Sequence, residues 1–270
     1  MKSGGAAGAW FRTREPVMAV FTLLGTVAIL FVALPVVAMV MKETPQSIWE
    51  TLKDGSVRRA IYLSASTALW ATLASLLVGV PLGYLLARKR FWGKELIQSV
   101  ADLPVVIPHT VAGIALLTIF GAKGMIGAPL SEWGVRFVDA QGGIVVAMVF
   151  VSMSFVINSA RNGFEAVDPR LEKIARSLGS SRAGAFFRVS LPLAAPSIAS
   201  GAVMCWARAI SEFGAVIVIA YFPMIAPTLI YDRFLSFGLD ASRPIAVVLV
   251  LICILLFASL RLITRRRSKA

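Results

Sequence analysis

Residues 189–231 read VSLPLAAPSIASGAVMCWARAISEFGAVIVIAYFPMIAPTLIY, and the number of membrane passages turns on them. The only charges in this stretch are Arg208 and Glu212. Read as one helix from about Ala195 to Ala220, it crosses a bilayer once. Read as a hairpin turning at 208–212, it crosses twice. Working outward, uncharged runs also cover 17–41, 60–87, 103–122, 140–160 and 244–260, each near the roughly 20 apolar residues a membrane helix needs. The two readings therefore give six or seven spans. Basic residues choose between them, because Lys and Arg gather beside the spans on the cytoplasmic side. With six spans and a cytoplasmic N-terminus, eighteen basic residues fall inside and eight outside. Seven spans would put the cluster Arg261–Lys269 outside. The expected fold is all-α: a polytopic membrane bundle with spans at about 17–41, 60–87, 103–121, 142–160, 195–220 and 244–263. A tail at 1–16, a cytoplasmic loop at 161–194 and a basic tail at 265–270 complete it, with both ends cytoplasmic.

Composition agrees. Of 270 residues 58% are apolar and 15% charged, with mean hydropathy +0.81, against about 45–50% and about 25% in an ordinary soluble chain. The net charge of +13 would point to nucleic acid in a soluble protein. Here the basic residues flank spans, and nucleic acid is not an expected partner. Cys205 and Cys253 lie inside apolar runs and form neither a disulfide framework nor a metal site. The run 17–41 is too long for a signal core and has no small-residue cleavage site after it, so it reads as a retained first helix.

Most of the connecting segments lack strong structural signals. Segment 42–59 suits a short interfacial helix, and 121–142 is Gly-rich and irregular. The loop 161–194 is different. Asp168 followed by Pro169 is an N-cap and first helical residue. Leu171, Ile174, Ala175 and Leu178 then fall on one face, and Gly179 closes the helix. A second helix is expected over Ala183–Leu191, stopped by Pro192. A water-exposed helix with an apolar stripe must bury it, either on its own bundle or in a groove of a soluble partner.

Glu172–Pro192, EKIARSLGSSRAGAFFRVSLP, resembles the cytoplasmic Glu-Ala-Ala loop of ATP-binding-cassette importer permeases. Aligned on Gly179, the final Ala is Ala175, nine residues follow (Ser180–Arg188), and Val189-Ser190-Leu191-Pro192 closes the motif. Lys173 and Ile174 stand where Glu and the first Ala would be, with Glu172 one place earlier. Leu103–Gly127 and Ala207–Ala220 (ARAISEFGAVIVIA) are similar to the third- and fifth-span segments of the sulfate, molybdate and tungstate permeases. Ile107–Thr110 and Ala226–Asp232 (APTLIYD) resemble the archaeal-type molybdate/tungstate branch.

The resemblance implies a binding-protein-dependent importer permease in a prokaryotic, archaeal-type cytoplasmic membrane. It would move a tetrahedral oxyanion, molybdate or tungstate, with sulfate or another solute as the alternative. Its partners would be a second copy, two ATP-binding subunits holding ATP and Mg, and an extracytoplasmic binding protein. The loop residues Asp168, Leu171, Glu172, Ile174, Ala175, Leu178, Gly179, Leu191 and Pro192 would couple to the ATPase.

The residues themselves agree on what is missing. No G-x-x-x-x-G-K-[ST] phosphate loop is present, so the chain needs no cofactor of its own, and its energy has to come from elsewhere. The acids and histidines that proton-coupled carriers repeat within their spans are also missing. A lone histidine without G-x-S-x-G argues against an intramembrane hydrolase, so the chain reads as a transport subunit rather than an enzyme.

Arg208 and Glu212, at i and i+4, are the only opposite charges well inside a span, and two roles stay open for them: a structural ion pair, or a pair whose Arg lines the translocation path. His109 reads as packing or as path-lining, and Pro104 and Pro108 as a kink beside that path. Gly79, Gly83 and Gly113 suit close helix contacts. The topology has a direct check. Cysteines placed at 180 and 268 should resist an impermeant reagent until the membrane is permeabilised, and labelling of 268 from outside would favour seven spans.

Overall fold

The computed structural model describes residues 16–267, and those residues form helices without a strand among them. In order they are α1 (Pro16–Met41), α2 (Pro45–Lys53), α3 (Gly55–Arg88), α4 (Lys94–Val106), α5 (His109–Phe120), α6 (Gly127–Glu132), α7 (Gln141–Ala166), α8 (Pro169–Ser177), α9 (Arg182–Ala185), α10 (Leu191–Ile210), α11 (Gly214–Ile219), α12 (Ala226–Phe237) and α13 (Leu239–Arg267). Five stretches are long and apolar enough to cross a membrane: α1, α3, α7, 182–210 and α13. The bent pair α4–α5 makes a sixth. The tail 1–16 lies outside the described residues up to Pro16. The tail 265–270 continues α13 as far as Arg267, and the rest lies outside.

Two helices overrun the uncharged runs. Asp54 accepts a bond from the Ser56 N–H at 2.8 Å and starts α3 at Gly55, ahead of the expected 60. With 34 residues at 1.5 Å each, α3 is about 50 Å long, well beyond the ~30 Å apolar core of a bilayer. Likewise α7 runs on to Ala166, past the expected 160, so the loop proper begins at Val167. The polar segment 42–59 does contain a short helix, α2, capped by Thr44. The segment 121–142 holds the six-residue α6, which its glycines concealed.

Close approach holds the centre together. Where α3 crosses α7, a Cβ on Gly83 would lie 2.7 Å from Ala160 Cβ and 2.9 Å from the Arg161 nitrogen. Gly113 of α5 meets Val218 of α11 in the same way, at 2.7 Å. Small residues let membrane helices approach through dispersion where no hydrophobic drive exists. Ala68, Ala71, Ala147, Met148 and Val151 fill the core between them.

Two expected spans are not continuous. The span at 103–121 is two helices, α4 and α5, meeting at 115° across Ile107 and Pro108. Pro108 has no N–H to continue the ladder and restricts the residue before it. The span at 195–220 is also broken. Helix α10 ends at Ile210, and α11 starts afresh at Gly214. Arg208 and Glu212 therefore sit at the end of the fifth crossing, not midway along it. The expected helix at 183–191 is a short α-turn and a π-turn at Phe186–Ser190 that run directly into α10. Pro192 stands in the first turn of that long helix, where a missing N–H is harmless, so it opens a helix and stops none.

At the second break the carboxylate of Glu212 closes the circuit. Its Oε1 accepts the Ala215 N–H at 2.7 Å, and its Oε2 accepts from Arg208 Nη2 at 2.7 Å. Glu212 is 1% exposed. Losing one partner of a buried pair leaves an uncompensated charge, at about 3–5 kcal/mol. Arg208→Met should lower the thermal midpoint of the purified chain markedly. Combining it with Glu212→Gln, whose amide oxygen can still accept from Ala215, should restore most of the loss. A double variant no more stable than Arg208→Met would show that the pairing is not what holds the break.

Candidate functional site

The loop between α7 and α10 is built around one carboxylate. Asp168 Oδ1 caps α8 by accepting the Arg170 N–H at 2.8 Å, and Pro169 follows as the first helical residue. At the other end Gly179 adopts φ +91°, and the Ser180 N–H reaches back to the Ala175 carbonyl at 3.0 Å. That left-handed closure strains any residue with a Cβ. Between these ends Glu172 turns toward the bundle. Its Oε1 accepts from Arg88 Nε at 2.8 Å and from Ser190 Oγ at 2.6 Å, while Oε2 accepts from Tyr84 O–H at 3.0 Å. Arg88 Nη2 also donates to the Val167 carbonyl at 2.9 Å. One side chain thus joins α8 to the end of α3 and to the start of the fifth crossing.

Burial raises the Glu172 pKa. The bonds from Ser190, Arg88 and Tyr84 and the charge of Arg88 outweigh it, so the carboxyl is held below its ordinary value. For a depressed carboxylate, the stabilisation is complete above the unfolded-state pKa and is lost as pH falls through the folded one. The knot is therefore intact at neutral pH. Beside it Tyr84 packs edge-on against Phe164 and Phe186, at ring-centroid distances of 5.1 and 4.9 Å, and the two Phe rings lie tilted on each other at 5.8 Å.

With Glu172 turned inward, the apolar stripe points away from the bundle. Leu171, Ile174 and Leu178 are 41%, 54% and 83% exposed, and Ala175 is half-buried at the margin. The stripe does not fold back on its own helices. Leu191 instead packs beneath the loop against the cluster of Phe164 and Ala194, and Pro192 is exposed beside it. Of the expected loop residues, these two belong to the support and not to the exposed face. The displaced Glu172 is the pin of the loop. Its partners Arg88, Tyr84 and Ser190 carry no signal in the sequence, since two of them are more than eighty residues away.

A second polar cluster lies where the two broken spans meet. Arg208 Nη2 sits against the edge of His109, 2.8 Å from Nε2 and 3.3 Å from Nδ1. His109 Nδ1 is 3.8 Å from Glu212 Oε2. Gly214 allows the contact, because a Cβ there would lie 2.8 Å from His109 Cβ. Glu212 is fully buried, Arg208 is partly exposed, and the His109 side chain is 43% exposed. Pro108 is the residue before α5 and so places His109 at its first position. Pro104 is buried within α4, one turn before the bend. The charge inventory within the spans is also larger than Arg208 and Glu212. Asp102 of α4 accepts from Asn158 Nδ2 of α7 at 2.6 Å, a bond that satisfies both groups inside the bundle. Among the described residues, no three His, Cys, Asp or Glu side chains are grouped to hold a metal ion.

Known proteins share this architecture. The alginate importer of a bacterium aligns over 92% of this chain and 95% of its own, with TM-score 0.67 at 20% identity. The methionine importer MetNI aligns over 83% and 99%, with TM-score 0.65 at 14% identity. Both likenesses establish the fold. In sequence, the molybdate/tungstate transport system permease protein WtpB of Thermococcus kodakarensis is 46% identical over 94% of this chain and 99% of its own. The sulfate transport system permease protein CysT of Escherichia coli is 32% identical over 91% and 93%. Residues 79–269, from the glycine-bearing half of α3 through the loop and both broken spans, match the model of the binding-protein-dependent transport system inner membrane component, and the chain is a member of that family of membrane-spanning transport subunits.

Proposed function

We propose that this chain is the permease of an importer for molybdate or tungstate, driven by ATP hydrolysed on a separate subunit. The observation that carries the energy coupling is the outward stripe Leu171, Ile174 and Leu178 on a helix pinned from behind by Glu172. Apolar side chains on a polar loop are costly in water, and a groove on a soluble partner would bury them. Two such partners, one for each of two copies, would hold the ATP and Mg that this chain has no loop to bind. The stripe lies at the end of the molecule that carries most of the basic residues, which is the cytoplasmic end by the charge rule. An extracytoplasmic binding protein would then deliver the anion at the opposite end.

The choice of anion rests on the relatives: 46% identity to a permease named for molybdate and tungstate, against 32% to one named for sulfate. The cluster of His109, Arg208 and Glu212 suits such a cargo. Arg208 offers a cation to a passing dianion, while Glu212, bound at 2.7 Å, tempers it. A site must be weak enough to release what it attracts. Pro108 would shape the path by breaking the third span, with Pro104 inside the helical arm that leads to the break. The reading is tested in proteoliposomes carrying the full complex, with labelled molybdate, tungstate and sulfate. ATP-dependent uptake of the first two is expected. Leu178→Asp, which puts a charge in the docking groove at a cost of several kcal/mol, should abolish ATPase assembly or coupled uptake while the membrane domain stays folded. Full uptake by a stable Leu178→Asp variant, or uptake without ATP, would contradict the proposal.

A further inference from the structure

Beside the pinned carboxylate, on the flank of α8 away from the apolar stripe, a groove of about 790 Å³ opens between the end of α3 and the turn that carries α9. Its cations are Arg88, Lys89, Lys173, Arg176 and Arg182. The one acid in the lining, Glu172, is already committed to Arg88, Ser190 and Tyr84. Lys89, Lys173, Arg176 and Arg182 are all exposed, and among the described residues none of them pairs with a carboxylate. Four like charges gathered in one groove repel one another and favour an anion from solution or from the membrane.

The rest of the wall says which. Pro81, Leu85 and Phe187 line the same groove, with Leu85 47% and Phe187 63% exposed. The apolar side continues without interruption along α3, where Leu77 and Val78 are 78% and 56% exposed, a face of the spanning helix that is open to acyl chains. The uncharged run 60–87 stops at Arg88, and Trp92, 98% exposed, follows at the same end. Charges after an apolar run, with an aromatic ring beside them, mark the level of the headgroups. The groove therefore presents cations at headgroup depth and an apolar wall below them.

We propose that this groove holds an anionic phospholipid of the adjacent leaflet, with its phosphate among Lys89, Lys173, Arg176 and Arg182 and an acyl chain along Phe187, Leu85 and Pro81. Juxtamembrane basic pockets between helices take such headgroups through charge, while the apolar wall supplies the part a free ion cannot use. Because α8 forms one side, the lipid would brace the loop helix from behind and leave Leu171, Ile174 and Leu178 free.

The test uses the full chain in nanodiscs of phosphatidylcholine with or without phosphatidylglycerol, and counts retained lipids by native mass spectrometry. Wild-type protein should retain phosphatidylglycerol over phosphatidylcholine. The triple variant Lys173→Gln, Arg176→Gln, Arg182→Gln should weaken that retention on the order of tenfold to a hundredfold. Phe187→Ser should weaken retention of the lipid but leave the affinity for inorganic phosphate unchanged. Equal retention by the wild type and the triple variant would overturn the proposal. So would displacement of the lipid by millimolar phosphate or molybdate, which would make the groove a free-anion site. A triple variant that keeps its lipid but loses a soluble partner subunit would reassign the groove to protein docking.

Discussion

The carboxylate of Glu172 is the constraint on which the loop end of the molecule depends. Among the described residues it is the only acid lining the groove between α3 and α9, and it answers Arg88, Ser190 and Tyr84 at once. Tyr84 and Arg88 come from the end of α3 and Ser190 from the turn that leads into α10, so the bond set fixes how α8 is rotated as well as where it lies. A helix of nine residues is too short to hold itself in water. Capping by Asp168 and closure at Gly179 define its ends, but only the inward turn of Glu172 makes the apolar stripe face outward. Rotating α8 by half a turn would bury Leu171 and Ile174, strand Arg88 and leave nothing to dock.

Two broken spans impose the complementary constraint within the helix bundle. Non-helical backbone among membrane helices survives only where protein or a water-lined cavity covers its polar groups. The bend at Ile107–Pro108 and the gap at 211–213 are brought together, and the side chains nearest them supply what the backbone lacks. Glu212 caps the Ala215 N–H and neutralises Arg208, and His109 leans on the same guanidinium. Gly113 and Gly214 permit the approach. The breaks and the polar cluster are one feature: the charges are where they are because the helices end there, and the helices can end there because the charges are paired.

Much of this was legible in the residues, for identifiable reasons. Apolar runs and basic flanks report burial in lipid directly, and the five long apolar helices and the bent pair α4–α5 fall on the runs they mark. Asp168-Pro169 and Gly179 act within a few residues, and α8 formed where they placed it. Pro192, expected to stop a helix, misleads for a related reason. The same missing N–H that stops a helix is tolerated in the first turn, and only the continuity of 182–210 decides which applies. The break after Ile210 falls at the turn that the seven-span reading placed at 208–212, but the charge count favoured one crossing, and Ser211, Glu212 and Phe213 contain no proline or glycine to mark a break within it. Asp102 escaped notice because its partner Asn158 is 56 residues away. Long-range pairing leaves no spacing to read, which is also why Arg88 and Tyr84 were not tied to the loop.

The central claim is that Glu172 makes a rigid link between the surface proposed to dock the ATPase and the spans proposed to carry the anion. Replacing it by Ala leaves Leu171, Ile174 and Leu178 in place but frees the helix from Arg88 and Ser190. The decisive measurement is the ratio of labelled molybdate taken up to ATP hydrolysed, in proteoliposomes of the assembled complex. For Glu172→Ala the account predicts an assembled complex that still hydrolyses ATP, with uptake per ATP lowered about tenfold or more. An assembled Glu172→Ala complex with the wild-type ratio would contradict it.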